Sequence, residues 1–117
     1  MSAQSTAMNR AAVDRVLRLV GLGVRSRGVV VGVEQVRQAA KKGKLAFAIV
    51  ALDASLNSRE KVVPLLQARH VKFVEGPSAA ELGAAVGREQ TAAVGVIDRQ
   101  LASGIRQLVE SSPGDDS

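Results

Sequence analysis

Cysteine is absent from the chain, which excludes disulfides, thiol chemistry and thiolate metal sites. Tryptophan and tyrosine are absent too, and Phe47 and Phe73 are the only large aromatic side chains. The core must therefore be aliphatic, built from Val, Ala and Leu, and no stacking platform exists for long single strands of bases. No apolar run exceeds the eight residues Leu45–Leu52, far short of the ~20 needed to cross a bilayer. Residues 1–8 lack the apolar segment of a signal peptide, so a cytoplasmic location is expected and no membrane partner. His70 is the single histidine. It stands at an expected helix-to-strand junction and reads as a surface residue rather than a base or ligand. Gly21-x-Gly23 and Gly28 follow a helix pattern rather than a strand and complete no phosphate-loop sequence. No nucleophile–base pair, metal-ligand cluster or cofactor fingerprint is present, so no catalytic residue, metal or cofactor is expected.

What the chain does have is an uneven distribution of positive charge. Between Arg15 and Lys44 there are eight Lys/Arg against one acid, Glu34, whereas Leu45 to Val109 carries seven bases and six acids. An excess confined to one stretch, on a chain without catalytic signals, points to a polyanionic partner. A solvated helix face is the plainer explanation of such a run, but here the charge is one-sided rather than alternating in sign. The ends differ from the body. Residues 1–8 are small and polar, and residues 110–117 hold three of the eleven acids. Both are expected to be disordered tails around one domain, residues 9–109, whose charge is +8.

Hydrophobic spacing predicts alternating elements. Val13, Val16, Leu17 and Val20 recur at helical period, and this helix is expected to end in a loop held open by Gly21, Gly23 and Gly28. Val29–Val31 reads as a short strand. Gly32 then opens a second helix, about Glu34 to Lys42, which Gly43 stops. Leu45–Leu52 is apolar on both faces, as a buried strand is. Asp53 and Ser55 are candidate caps of a helix to about Arg69, with Pro64 inside it expected to kink or restart it. Val71–Val74 is a short strand. Ser78-Ala-Ala-Glu81 is a capping box for a helix ending near Gly87. Thr91–Ile97 is another apolar strand, and Asp98 caps a last helix carrying Leu101, Ile105 and Leu108. The pattern implies the α/β class: a three-layer α/β/α sandwich with helices on both faces of a four-stranded mixed sheet.

One constellation suits polyanion binding. Gly32 allows a tight turn into the second helix, whose first turn offers backbone N–H groups and a positive dipole end to a phosphate. Glu34, Gln35 and Gln38 lie on that turn and the next, where amides and carboxylates bond base edges. Arg37, Lys41, Lys42 and Lys44 supply positive charge for phosphates.

With these residues the chain resembles the kink-turn RNA-binding family of the archaeal large-subunit ribosomal protein L7Ae, particularly its small single-domain bacterial relatives of the YlxQ type. The resemblance runs from about Val16 to Val109. Its pieces are the Gly32 helix entry, Lys42-Gly-Lys44, Ala51-Leu-Asp53-Ala-Ser55-Leu-Asn57, Val63-Pro64-Leu65-Leu66, Glu81-Leu-Gly83 with Gly87, and Ala92-Ala-Val94. It implies an α/β/α protein that binds structured RNA, bulged or kink-turn-like and including ribosomal RNA, without catalysis. Association with the ribosome or translation factors is implied too, with the free protein a monomer. It also implies a second RNA-contacting loop at Gly87–Ala92, with Arg88, Gln90, Thr91 and Ala92 as candidate contacts. Kink-turn binders of the family carry an Asn-Glu pair and a downstream Lys where this chain has Glu34, Gln35 and Gln38. The chain is therefore expected to favour structured RNA more generally than the kink-turn itself. Two alternatives stay open on the same fold: a protein-interaction adaptor, and the substrate-binding module of an RNA-modifying system.

Overall fold

The apolar run at Leu45–Leu52 supplies the middle of the sheet. In the computed structural model, which describes residues 9–111, strand β2 (Phe47–Val50) is buried along its whole length. The other elements are α1 (Arg10–Arg25), β1 (Val29–Val31), α2 (Val33–Lys41), α3 (Leu56–Ala68), β3 (Phe73–Glu75), α4 (Ala79–Ala85), β4 (Ala93–Val96) and α5 (Arg99–Ser111). The sheet order is β1-β4-β2-β3. β4 runs antiparallel to both β1 and β2, while β2 and β3 are parallel. The sheet is mixed, as expected.

Alternation along the central strands makes two cores. Phe47 and Ile49 of β2, with Val94 and Val96 of β4, meet Val16 and Val20 of α1, Leu82 of α4 and Ile105 of α5. Ala48 and Val50 point the other way, with Ala93, onto Val36 of α2 and Val62 and Leu66 of α3. The three layers of the α/β/α sandwich follow directly. Ile49, Leu66, Leu82 and Ile105 are among the largest fully buried side chains, each contributing about 1.5–3 kcal/mol relative to exposure.

Three local expectations need correction. Helix α1 does not open into a loop at Gly21; it runs through Gly21 and Gly23 to Arg25. These glycines serve close packing instead. A Cβ on Gly21 would sit 2.9 Å from the Ala85 carbonyl oxygen, and one on Gly23 would sit 2.4 Å from both Val29 and Leu101 side chains. Pro64 lies within an uninterrupted α3 and is exposed, so the carbonyl it leaves without an intrahelical donor is on the wet side. Asp53 does not cap α3. Ser55 does, accepting from Ser58 N–H, while the Asp53 carboxylate accepts from Ala79 N–H at 2.8 Å. At the chain ends, Glu110 and Ser111 complete α5. The rest of the two segments expected to be disordered lies outside the described residues.

The capping box forms as expected. Ser78 Oγ accepts from Glu81 N–H at 3.1 Å, and the Glu81 carboxylate accepts from Ser78 N–H at 3.3 Å. Glu81 also meets the Arg10 guanidinium at 2.6 Å, tying the start of α1 to α4. Arg10, with the Ser78 N–H and hydroxyl, holds the Glu81 carboxyl below the ordinary carboxylate range. A depressed carboxyl pKa stabilises the fold above its unfolded value, and that contribution is lost as pH falls through the folded value. Glu81→Gln keeps a capping-box acceptor but removes the charge. It is expected to flatten the acid side of the stability profile by less than ~1 kcal/mol, since the pair is solvent-screened. Urea midpoints of both proteins from neutral to acid pH measure this; parallel profiles would remove Glu81 from the acid transition.

Candidate nucleic-acid interface

The ends of β1 and β2 and the start of β4 lie on one rim of the sheet, because Val31 pairs with Val94 and Val50 with Ala93. At this rim the chain leaves β1 through Gly32, whose φ of +96° is one that glycine adopts without strain. Gly32 N–H donates to the Ala93 carbonyl at 2.9 Å, and α2 starts at the next residue without a side-chain cap. The first helical backbone bond is Val36 N–H to Gly32 carbonyl. The N–H groups of Val33, Glu34 and Gln35 therefore have no helical carbonyl behind them and face outward from the positive end of the helix.

The loop before β4 arrives at the same place. Gly87 turns the chain at φ +80°, and Arg88 N–H donates to the Gly83 carbonyl at 2.8 Å. Thr91 N–H donates to the Ala79 carbonyl, and Ala51 N–H donates to the Ala92 carbonyl. Thr91 is only 7% exposed, and its hydroxyl donates to the Ala93 carbonyl at 3.3 Å. One carbonyl thus accepts from both segments: Gly32 on the helix entry and Thr91 on the loop. Between these anchors Arg88, Glu89 and Gln90 are exposed, and Ala92 is half-buried. Thr91 acts as a brace, its hydroxyl turned inward rather than toward a ligand.

Glu34, Gln35 and Gln38 are exposed on α2. Gln38 is four residues beyond Glu34 and three beyond Gln35, so the three share a face. Arg37 is diverted: its guanidinium donates to the Lys61 carbonyl at 2.7 Å, pinning α2 to α3. Lys41, Lys42 and Lys44 are exposed but stand at and just past the far end of α2. Nine residues of helix put them about 13 Å from the helix start. The structure therefore brings together Gly32, Glu34, Gln35 and Gln38 with Arg88 to Ala92, and leaves the lysines apart. The charge at the joined rim is slightly negative, Arg88 against Glu34 and Glu89, so its chemistry is that of amides and backbone N–H groups.

Sequence reading missed two rim residues. Leu52 is 63% and Leu56 70% exposed, flanking the Asp53 loop whose carboxylate is held by Ala79 N–H. Leu52 closes an apolar run whose Phe47–Ala51 are buried, and nothing in that run signals its exposure. Among the described residues, no three His, Asp or Glu side chains are grouped to hold a metal ion, and no helix is long and apolar enough to cross a membrane.

A sequence profile of the ribosomal protein L7Ae/L30e/S12e/Gadd45 family matches residues 14–105. The chain belongs to that family. The match includes both segments that meet at Ala93. No curated protein sequence matches the chain. Among solved structures, a Bacillus halodurans C protein of unknown function is 25% identical, with a TM-score of 0.77 over 83% of this chain and 98% of that one. The 15.5kD RNA binding protein of Giardia lamblia is 20% identical, with a TM-score of 0.73 over 92% of this chain and 94% of that one. Both share the family fold described above.

Proposed function

We propose that this protein is a non-catalytic, cytoplasmic binder of structured RNA, associated with the ribosome or translation and monomeric when free. The observation that carries the proposal is the convergence of two segments on the Ala93 carbonyl. It sets an uncapped helix start beside a loop that is braced at both ends and polar at its tip. The helix start takes a phosphate or a base edge on its N–H groups. Gln35, Gln38 and Gln90 each offer a donor and an acceptor to a base edge, and Arg88 meets a phosphate. Such a surface suits bases displaced at a bulge or internal loop, the form in which sequence is accessible in folded RNA. Family membership supports the reading, as does the fold shared with the Giardia lamblia RNA binding protein. Glu34, with Gln35 and Gln38, makes the preference one for bulged RNA broadly, with weak selection of the kink-turn. The test is ultraviolet crosslinking in cells, with sequencing of the RNA and mapping of crosslinked peptides. The expected result is structured RNA, ribosomal RNA included, attached within residues 32–38 and 88–92. Recovery of no RNA above an uncrosslinked control would leave the adaptor reading in its place.

A further inference from the structure

On the rim opposite the Ala93 junction, the turn from α2 into β2 faces α5 across a cleft of about 310 Å³. Its walls carry Lys44 and Ala46 on one side, and Arg99, Ser103 and Arg106 on the other. Lys44, Arg99 and Ser103 are exposed, and Lys44 and Arg99 make no ion pair among the described residues. Arg106 is different. Its terminal nitrogen contacts Glu110 weakly, at 3.4 Å, while its Nε is buried with no hydrogen-bond partner among the described residues. Arg99 and Arg106 lie seven residues apart on α5, two turns of one face, with Ser103 between them. Three cations and a hydroxyl therefore surround one concave space, and among the described residues Glu110 is the only carboxylate paired with any of them.

We propose that this cleft holds a phosphate group of the RNA backbone, a second contact separate from the rim that reads bulges. The proposal rests on the RNA-binding reading and adds what the slightly negative reading rim lacks, a place where phosphate charge is neutralised. Lys44 and Arg99 draw the anion in; the Arg106 guanidinium and Ser103 hydroxyl fix it by directed hydrogen bonds. Lys41 and Lys42, just before the same turn, extend the positive approach. The protein then touches RNA at both ends of α2, spanning about 13 Å of the nine-residue helix.

Two measurements test it. The first titrates inorganic phosphate, without RNA, into the isotopically labelled protein at constant ionic strength, with chloride as control. Saturable shifts are expected at the amides of Ala46, Arg99 and Ser103, and these should vanish in Lys44→Gln/Arg99→Gln, which alters only exposed side chains and keeps the fold. Absence of saturable shifts would overturn the site, whatever the protein does with RNA. The second measures Kd for a bulged hairpin over a range of salt for the parent, for that double variant and for the double variant with Arg106→Gln. Loss of one phosphate contact should lower the log–log salt slope by about 0.7–0.9, while the ratio of bulged to perfect hairpin affinity stays unchanged. Phosphate shifts with an unaltered salt slope would overturn RNA as the occupant. A parent protein that binds no RNA would instead overturn the function proposed above, and the phosphate titration separates the two failures.

Discussion

Replacing Gly83 by alanine is expected to destabilise the domain by about 1–3 kcal/mol, the usual cost of overpacking a filled interior, and to unseat the loop before β4. Gly83 is buried in α4. A Cβ there would stand 2.4 Å from Gln90 Cα, 2.5 Å from Gln90 N and 2.8 Å from the Glu89 carbonyl carbon. All three neighbours are backbone, so no side-chain rotation relieves the clash. The loop itself must move, and with it Arg88 and Gln90. Helix propensity acts in the opposite direction, favouring alanine over glycine by up to about 1 kcal/mol. A lowered urea midpoint would therefore show that the loop contact wins, and the preference for bulged over perfect hairpins should fall in the same variant. An unchanged or raised midpoint, with selectivity intact, would mean that the loop is not seated on Gly83.

The second large effect is a gain. Glu34→Asn, Gln35→Glu and Gln38→Lys together place on α2 the residues that kink-turn binders of the family typically carry. All three positions are exposed on one helix face, so the exchange leaves the packing untouched. Affinity for a standard kink-turn is expected to rise by about 1–3 kcal/mol, the scale of one good bidentate base contact, or roughly fivefold to 150-fold. The exchange adds one unit of positive charge overall, and a perfect duplex measured alongside reports that part alone. A comparable gain for both RNAs would reduce the effect to charge. A parent that already binds the kink-turn tightly, with no gain, would show that Glu34, Gln35 and Gln38 suffice.

The layers, the strands and most helix ends were legible because their signals are local. The Ser78–Glu81 capping box, the Asp98 cap and the both-faced apolar run at Leu45–Leu52 each speak for the few residues around them. Three misreadings came from contacts between residues distant in sequence. Gly21 and Gly23 look like loop glycines, yet they clear space for Ala85, Val29 and Leu101, which only the packed structure brings near. Asp53 looks like a cap for the helix that follows it, but its partner is Ala79, 26 residues on. Thr91 looks like a free polar group in a surface loop, and the Ala93 carbonyl captures it.

The site was half legible for the same reason. Gly32 stands out as the glycine that opens a helix, and the loop before β4 through the family resemblance; the structure joins them at one rim. The lysines were grouped with them because charge adds up along a sequence, whereas a helix separates what lies at its two ends. Arg37 shows the limit most plainly. It sits in the middle of the basic run, yet its guanidinium is spent on a backbone carbonyl of α3. Arg99 and Arg106 were passed over because each lies alone in a stretch of balanced charge, and only the fold sets them opposite Lys44.

The most direct test of RNA reading by the Ala93 rim is a ratio of two affinities, for a bulged and a perfect hairpin, at one salt concentration. It is measured for the parent and for Arg88→Ala/Gln90→Ala, with Thr91 left in place because it braces the loop. The parent is expected to favour the bulged hairpin. The variant should keep its thermal midpoint and lose most of that preference while retaining much of its overall binding. An identical ratio in parent and variant would contradict this, removing the loop from the site and leaving electrostatic attraction alone.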